Sequence, residues 1–187
     1  HGAKAEKYLG QHFILSKKAL ARMVAAAEIK KNDIIVEIGP GLGTLTQELA
    51  KTGAKITAIE KDPLMIAILK ETLKDFKNVK ITEGDARKIS IFDIDIEYLY
   101  FKYKIVANLP YNVATFLIRQ WLEGRNPSSP RLRRTRPPEK MVLMIQKEVA
   151  QRICSKPPHM NLLAVSVQFY ADVKIIDYVP AEAFWPR

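Results

Sequence analysis

Asp33-Ile34-Ile35-Val36-Glu37-Ile38-Gly39-Pro40-Gly41-Leu42-Gly43-Thr44 is the stretch on which the fold turns. Residues 33–38 read as a short apolar strand. It runs straight into a glycine turn, and a helix follows over 45–51. Strand, glycine turn and helix in that order form the nucleotide-binding arrangement of doubly wound α/β proteins. Glycines permit a tight turn and let a ligand approach the backbone closely. The spacing here is Gly-x-Gly-x-Gly, not Gly-x-Gly-x-x-Gly, which argues against a nicotinamide or flavin cofactor. The turn also lacks the lysine of a phosphate-binding P-loop.

Downstream the pattern repeats. Residues 55–60 are a second strand ending in an acid, Glu60, about 20 residues after the glycines, where an acid reads the two hydroxyls of a ribose. Asp62 caps the next helix, with Pro63 at its favoured first position. Residues 79–83 are a third strand, followed by Gly84-Asp85-Ala86. Asp85 falls at that strand's carboxyl end, in line with Gly39 and Glu60, and can accept a hydrogen bond from an adenine amino group. A fourth strand over 104–107 delivers Asn108-Leu109-Pro110-Tyr111-Asn112. Proline removes a backbone donor and holds the preceding residue extended. The Asn108 amide, the Leu109 carbonyl and the flat face of Tyr111 are suited to gripping the amino group of a planar base. Helix (113–122), strand (140–146) and helix (148–154) continue the alternation. Residues 162–170 and 173–179 read as a closing antiparallel strand pair, with the turn at Ala171-Asp172, and the chain ends in an extended aromatic tail.

Upstream, Ser16 is a helix N-cap, and Leu20, Met23, Val24 and Ala27 recur at helical spacing. Residues 1–15 are a basic loop. His12 has no metal-ligand partner at a plausible spacing, and the expectation is a loop contact. Residues 124–138 hold four prolines and five arginines, which predicts an exposed, mobile loop whose arginines suit phosphates.

Composition bounds the function. The 187 residues carry a net charge of +10 and 48% hydrophobic content, so the chain is one ordered domain with an anionic partner, nucleic acid before membrane surface. No apolar run reaches the ~20 residues of a membrane span, and no signal peptide is expected. Cys154 is the only cysteine, which excludes an intramolecular disulfide and a cysteine metal cluster. A cytoplasmic location is the default. The ligand edge collects Gly39, Gly41, Glu60, Asp85 and Asn108: backbone for a nucleoside's attached chain, acid for ribose, acid for base, and beside them a grip for a second base. That is group transfer from a nucleoside cofactor to a base.

Glu37-Ile38-Gly39-Pro40-Gly41-Leu42-Gly43 and Asn108-Leu109-Pro110-Tyr111-Asn112, with Gly10-Gln11-His12-Phe13 near the start and Phe184-Trp185-Pro186 at the end, resemble the ribosomal RNA adenine dimethyltransferases along essentially the whole chain. KsgA-type small-subunit enzymes are the most similar subgroup. The resemblance implies a Rossmann-like class I methyltransferase fold: α/β, with a mostly parallel seven-stranded sheet and an antiparallel terminal strand pair. It implies S-adenosylmethionine as cofactor and dimethylation of two adjacent adenines near the 3′ end of small-subunit rRNA, on the exocyclic N6. It further implies a monomer that needs no metal. It places Gln11, His12, Ile14, Gly39, Gly41, Glu60, Lys61, Asp85, Ala86 and Asn108 around the cofactor. Asn108, Leu109 and Tyr111 would hold the target base, with Phe184 on its other face. The family usually has Asn at position 12 and Leu at 14, so His12 and Ile14 depart from its pattern. KsgA-type chains continue into a small helical C-terminal domain, which is absent from these residues. Two readings compete. One is a macrolide-resistance-type methylase of large-subunit rRNA, whose members more often carry Ile at position 109. The other is a non-catalytic rRNA-binding assembly factor.

Overall fold

The computed structural model describes residues 13–14, 16–89, 102–124 and 136–185. The expectations for Gln11, His12 and most of the arginine-proline loop lie outside them.

Five strands form one parallel sheet in the order β4-β3-β2-β5-β6: β2 (Ile34–Ile38), β3 (Lys55–Glu60), β4 (Val79–Glu83), β5 (Tyr103–Asn108) and β6 (Lys140–Met144). The chain builds outward from β2 to β4, then crosses back to lay β5 on the opposite side of β2. The strand order therefore reverses between β2 and β5, and ligands of open parallel sheets bind at the carboxyl ends of strands flanking such a switch. Val36 lies opposite Ile105, so the residues that follow, Gly39 and Asn108, emerge side by side.

Alternate residues of the central strands face opposite helical layers, and both layers are apolar, as a buried parallel sheet requires. Val36, Ile38, Ile105 and Ala107 pack on Leu117, Ile118 and Trp121 of α4 (Ala114–Leu122), with Ile153 of α5 (Lys147–Ile153) and Val167 of α6 (Leu162–Gln168). Ile35, Ile56, Val106 and Val142 pack on Leu20 and Met23 of α1 (Lys17–Ala27) and on Leu45 and Leu49 of α2 (Thr44–Ala50). Helix α3 (Pro63–Thr72) completes the order. The expected caps are present: Ser16 Oγ accepts from the Ala19 N–H, and the Asp62 side chain accepts from Leu64 with Pro63 behind it.

The closing strand pair is a correction. Residues 162–168 are helix α6, not strand, and 173–179 pair with no strand among the described residues. The Asn161 side chain accepts from the Ala164 N–H and starts the helix. Ala164 and Val167 are then buried at helical spacing, while Leu162, Val165 and Phe169 point outward. The antiparallel pair lies elsewhere: β1 (Phe13–Ile14) against β7 (Phe184–Trp185), Phe13 facing Trp185 and Ile14 facing Phe184. The seven strands thus divide, among the described residues, into a parallel five and a separate antiparallel two.

Candidate active site

Two adjoining cavities run along the carboxyl edge of the sheet. The first, about 680 Å³ counting its open mouth, is lined by residues from β1, the glycine turn, the ends of β2 and β3, and the segment after β5. Gly39, Gly41, Glu60, Lys61, Asn108, Leu109 and Tyr111 all border it, and so does Ile14. The second, about 430 Å³ on the same measure, shares Gly39, Glu60, Lys61 and Pro110 with the first and adds Asp85, Ala86 and Arg87. Every expected site residue among those described except Phe184 therefore borders one continuous groove. Phe184 is half-buried against the cluster that holds Ile14 and Val106. It reaches the groove only through its neighbour Ile14.

Gly41 explains why the turn is glycine. Its φ is +56°, and a Cβ there would sit 2.8 Å from the Phe13 ring. Any side chain would both strain the backbone and push β1 off the groove. Phe13 in turn stacks on Trp185, ring centroids 5.9 Å apart. The β1–β7 pair thus forms a wall over the glycine turn.

Glu60 is 6% exposed, yet its carboxylate is well supplied with donors. Gly41 N–H donates to Oε2 at 3.2 Å, and Lys61 and Asp62 N–H donate to Oε1 at 2.8 and 3.0 Å. Three backbone dipoles hold the acid across the groove where strand and turn meet.

Asp85 is gripped from one side. Arg87 donates from Nε and Nη2 to its carboxylate and from its own backbone N–H at 3.0 Å. Hydrogen bonding from the guanidinium, against some burial, holds the carboxyl down at about 2. Asp85 is thus an ionised acceptor at the second cavity at all physiological pH.

At the acceptor end, β5 runs through Asn108, which lies opposite Met144 of β6. The Leu109 N–H still donates to the Met144 carbonyl at 3.0 Å, and the Leu109 side chain is buried. That bond fixes the backbone of Leu109 just past the strand. Pro110 then turns the chain over Gly39 and leaves Tyr111 36% exposed, its ring over the first cavity and its hydroxyl raised above the usual phenol range by burial.

Sequence reasoning passed over Phe13, Arg87 and Glu37. Phe13 carries no local signal, because its role depends on a contact with Gly41 that only folding makes; Arg87 is a local partner, two residues from Asp85. Glu37 does carry one: an acid alone in an apolar strand. Its carboxyl lines the first cavity and is 1% exposed. Burial raises it to about 8; the Thr46 hydroxyl opposes the shift and the Glu60 charge adds to it.

The arrangement has the donor set for a nucleoside with a charged chain: exposed backbone and a glycine cradle, a buried acid, and an ionised acid further along. No cluster of three or more His, Cys, Asp or Glu among the described residues is placed to hold a metal. No helix among them is long and apolar enough to cross a membrane.

Comparison with known proteins agrees with this geometry. The chain is 40% identical over 186 residues to the ribosomal RNA small subunit methyltransferase A of Dehalococcoides mccartyi strain CBDB1, covering 98% of this chain and 59% of that protein. It is 38% identical to the protein of the same name from Shouchella clausii, across all of this chain and 61% of the relative. The chain thus spans about three fifths of the length of the curated relatives it matches. Among solved structures, a dimethyladenosine transferase from Plasmodium falciparum superposes with a TM-score of 0.60 at 31% identity, over 77% of this chain and 46% of the other. The 23S rRNA methyltransferase ErmE superposes with a TM-score of 0.61 at 24% identity, over 75% and 50%, a likeness of fold. The profile of the ribosomal RNA adenine dimethylase family matches residues 2–187, and with the glycine turn and Asn108-Leu109-Pro110-Tyr111 on one groove, the chain belongs to that family.

Proposed function

We propose that the chain transfers methyl groups from S-adenosylmethionine to the exocyclic N6 of adenines in small-subunit rRNA, dimethylating two adjacent bases near the 3′ end. The observation that carries this reading is the meeting of the glycine turn and Asn108-Leu109-Pro110-Tyr111 in one groove at the switch between β2 and β5. S-adenosylmethionine, when bound, supplies a methyl on a sulfonium leaving group. The residues do the rest. Gly39 and Gly41 leave room for the donor's chain, Glu60 holds its ribose, and Asp85 and Ala86 face its base. About three of the four acceptor positions on Glu60 are taken. A ribose bringing two hydroxyls therefore displaces the longest bond, that from Gly41.

An adenine amine is a poor nucleophile because its lone pair is delocalised into the ring. The Asn108 side chain and the Leu109 carbonyl accept its two hydrogens and draw them out of the ring plane, which localises the lone pair toward the methyl. No general base is required; the rate comes from position. Removing the base from its stack costs a few kcal/mol, and stacking on Tyr111 offsets it by about 1–3 kcal/mol.

Labelled S-adenosylmethionine incubated with unmethylated small subunits should place label on two adjacent adenines of the rRNA. Label only in large subunits would replace this reading with a macrolide-resistance-type activity, and no label in either would remove the enzyme. The arginine-proline loop is proposed to add RNA affinity. Replacing Arg131, Arg133, Arg134 and Arg136 together with Ala should weaken subunit binding at least tenfold and reduce the salt slope by about 1–3. An unchanged filter-binding isotherm at two salt concentrations would refute the role of the loop.

A further inference from the structure

Strand β7 holds two aromatic residues, and strand alternation sends their rings to opposite faces. Phe184 packs against the cluster that holds Ile14 and Val106. Trp185 turns the other way. It stacks on Phe13, the two rings inclined by 18° with centroids 5.9 Å apart, and it stays 46% exposed. The other tryptophan, Trp121, is 5% exposed in the core. An indole left nearly half in water forgoes much of the stabilisation that burying it would give. Holding β7 against β1 uses only the face that lies on Phe13.

The position of that ring matters. Phe13 borders the cavity that Asn108, Leu109 and Tyr111 also line. Trp185 therefore stands one ring behind a wall of the groove. Three residues beyond Ile14, α1 opens with Lys17 and Lys18, both exposed. Its first turn holds no acid, although the positive end of a helix dipole favours anions there and disfavours cations. Two lysines at that end run against the local rule and suit an anion brought from outside. Single-stranded nucleic acid is bound by this pairing: bases stack on an aromatic face, and cations meet the phosphates between them. The net charge of +10 has the sign that such a partner requires.

Resting on the reading of the groove as the acceptor site for an rRNA adenine, we infer that Trp185, backed by Phe13, is a stacking subsite for a base that flanks the target in the same RNA strand. Drawing one base out of a stack uncovers the faces of its neighbours, and the indole offers one of those faces a new partner. The role is binding, not chemistry. Stacking tolerates any base, so the subsite selects single strand over duplex and not one sequence over another.

Tryptophan emission reads this directly, because Trp121 is buried and Trp185 is not. A short single-stranded rRNA fragment with the two adjacent adenines should quench the emission in step with binding, and the same sequence as a duplex should not. Trp185→Phe should abolish the quench and keep most of the affinity, because a ring remains. Trp185→Ala should weaken fragment binding by about 5- to 150-fold, the range for one stacked base. It should raise KM for unmethylated small subunits, with the rate at saturation and the affinity for S-adenosylmethionine within a few-fold of wild type. A ring that only propped Phe13 would lower cofactor affinity instead. Should Trp185→Ala fail to fold, the quench in the unaltered protein and its loss in Trp185→Phe still decide. Fragment binding without a quench, a quench that survives in Trp185→Phe, or wild-type affinity and KM in Trp185→Ala overturns the subsite and leaves the methyl-transfer reading standing. No fragment bound and no methyl placed on either subunit removes both.

Discussion

Asn108→Ala should lower the single-turnover rate of methyl transfer to unmethylated small subunits by 10²- to 10³-fold, the usual cost of losing one preorganised polar partner in the transition state. The argument rests on where Asn108 stands. It is the last residue of β5, paired across to Met144, and it borders the cavity beside Gly39. Its backbone is paired with β6, and the next residue, Leu109, is bonded to the Met144 carbonyl, so truncation at Cβ removes the amide without moving the strand. Of the two acceptors that pull on the amine, the Leu109 carbonyl survives and the Asn108 oxygen does not. Half of the lone-pair localisation should therefore be lost, while stacking on Tyr111 persists. Three measurements separate this from a trivial cause. The melting temperature should change by no more than about 2–4 °C, because a half-buried polar side chain at a strand end contributes no core volume. Affinity for S-adenosylmethionine should fall by less than tenfold, since Glu60, Asp85 and the glycine turn remain. Subunit binding should be unaltered. A variant that methylates at the wild-type rate sinks the two-acceptor mechanism, and one that loses rate only because it no longer binds the cofactor moves Asn108 from the acceptor to the donor site.

Legibility in the sequence followed the range of the interactions. The glycine turn was readable because its constraint is local: Gly39, Gly41 and Gly43 each have positive φ, and glycine is the residue that adopts it without strain. Glu60 and Asp85 were readable because a parallel sheet puts the residue after each strand at the same edge, whatever the intervening helix contains. Asp62-Pro63 and Ser16 announced helix starts through caps that reach only two or three residues. Residues 162–168 were misread for a local reason as well. Val165, Val167, Phe169 and Tyr170 are good strand formers, and over so short a stretch a helical and an alternating apolar pattern are hard to separate. The Asn161 cap and the burial of Ala164 decided it. What stayed invisible is contact between distant segments. Phe13 meets Gly41 and Trp185, and β1 finds β7 across nearly the whole chain. None of these follows from spacing.

Lys104→Met should cost about 2–4 kcal/mol of folding stability and lower the melting temperature by about 5–15 °C, with the site largely spared. Lys104 is the second residue of β5, at the opposite end of the strand from Asn108. Its ammonium is 7% exposed by residue and has three donors. All three find acceptors: the Ala27 carbonyl at 3.1 Å, the Glu28 carbonyl at 2.7 Å and Asp33 Oδ2 at 2.7 Å. One side chain thus closes the end of α1, the loop into β2 and the start of β5 on each other. Methionine keeps the length and apolar stem of lysine, so the core loses no volume. What it removes is the charge and every donor, leaving two carbonyls and a carboxylate facing one another, and breaking a buried pair in this way costs more than the pair contributes when intact. Asp33→Asn should cost less, because an amide oxygen still accepts and the two carbonyls still hold the ammonium. In the double variant the losses should fall short of their sum by about 1–3 kcal/mol, the signature of groups in direct contact. Chemical denaturation of the four proteins measures that coupling, and strict additivity would mean that Lys104 and Asp33 act independently. Well below its own melting temperature, Lys104→Met should bind S-adenosylmethionine within a few-fold of wild type, since no atom of the groove touches it. The pair Asn108→Ala and Lys104→Met therefore divides one strand into a chemical end and a structural end: the first should lose turnover and keep its melting temperature, the second the reverse.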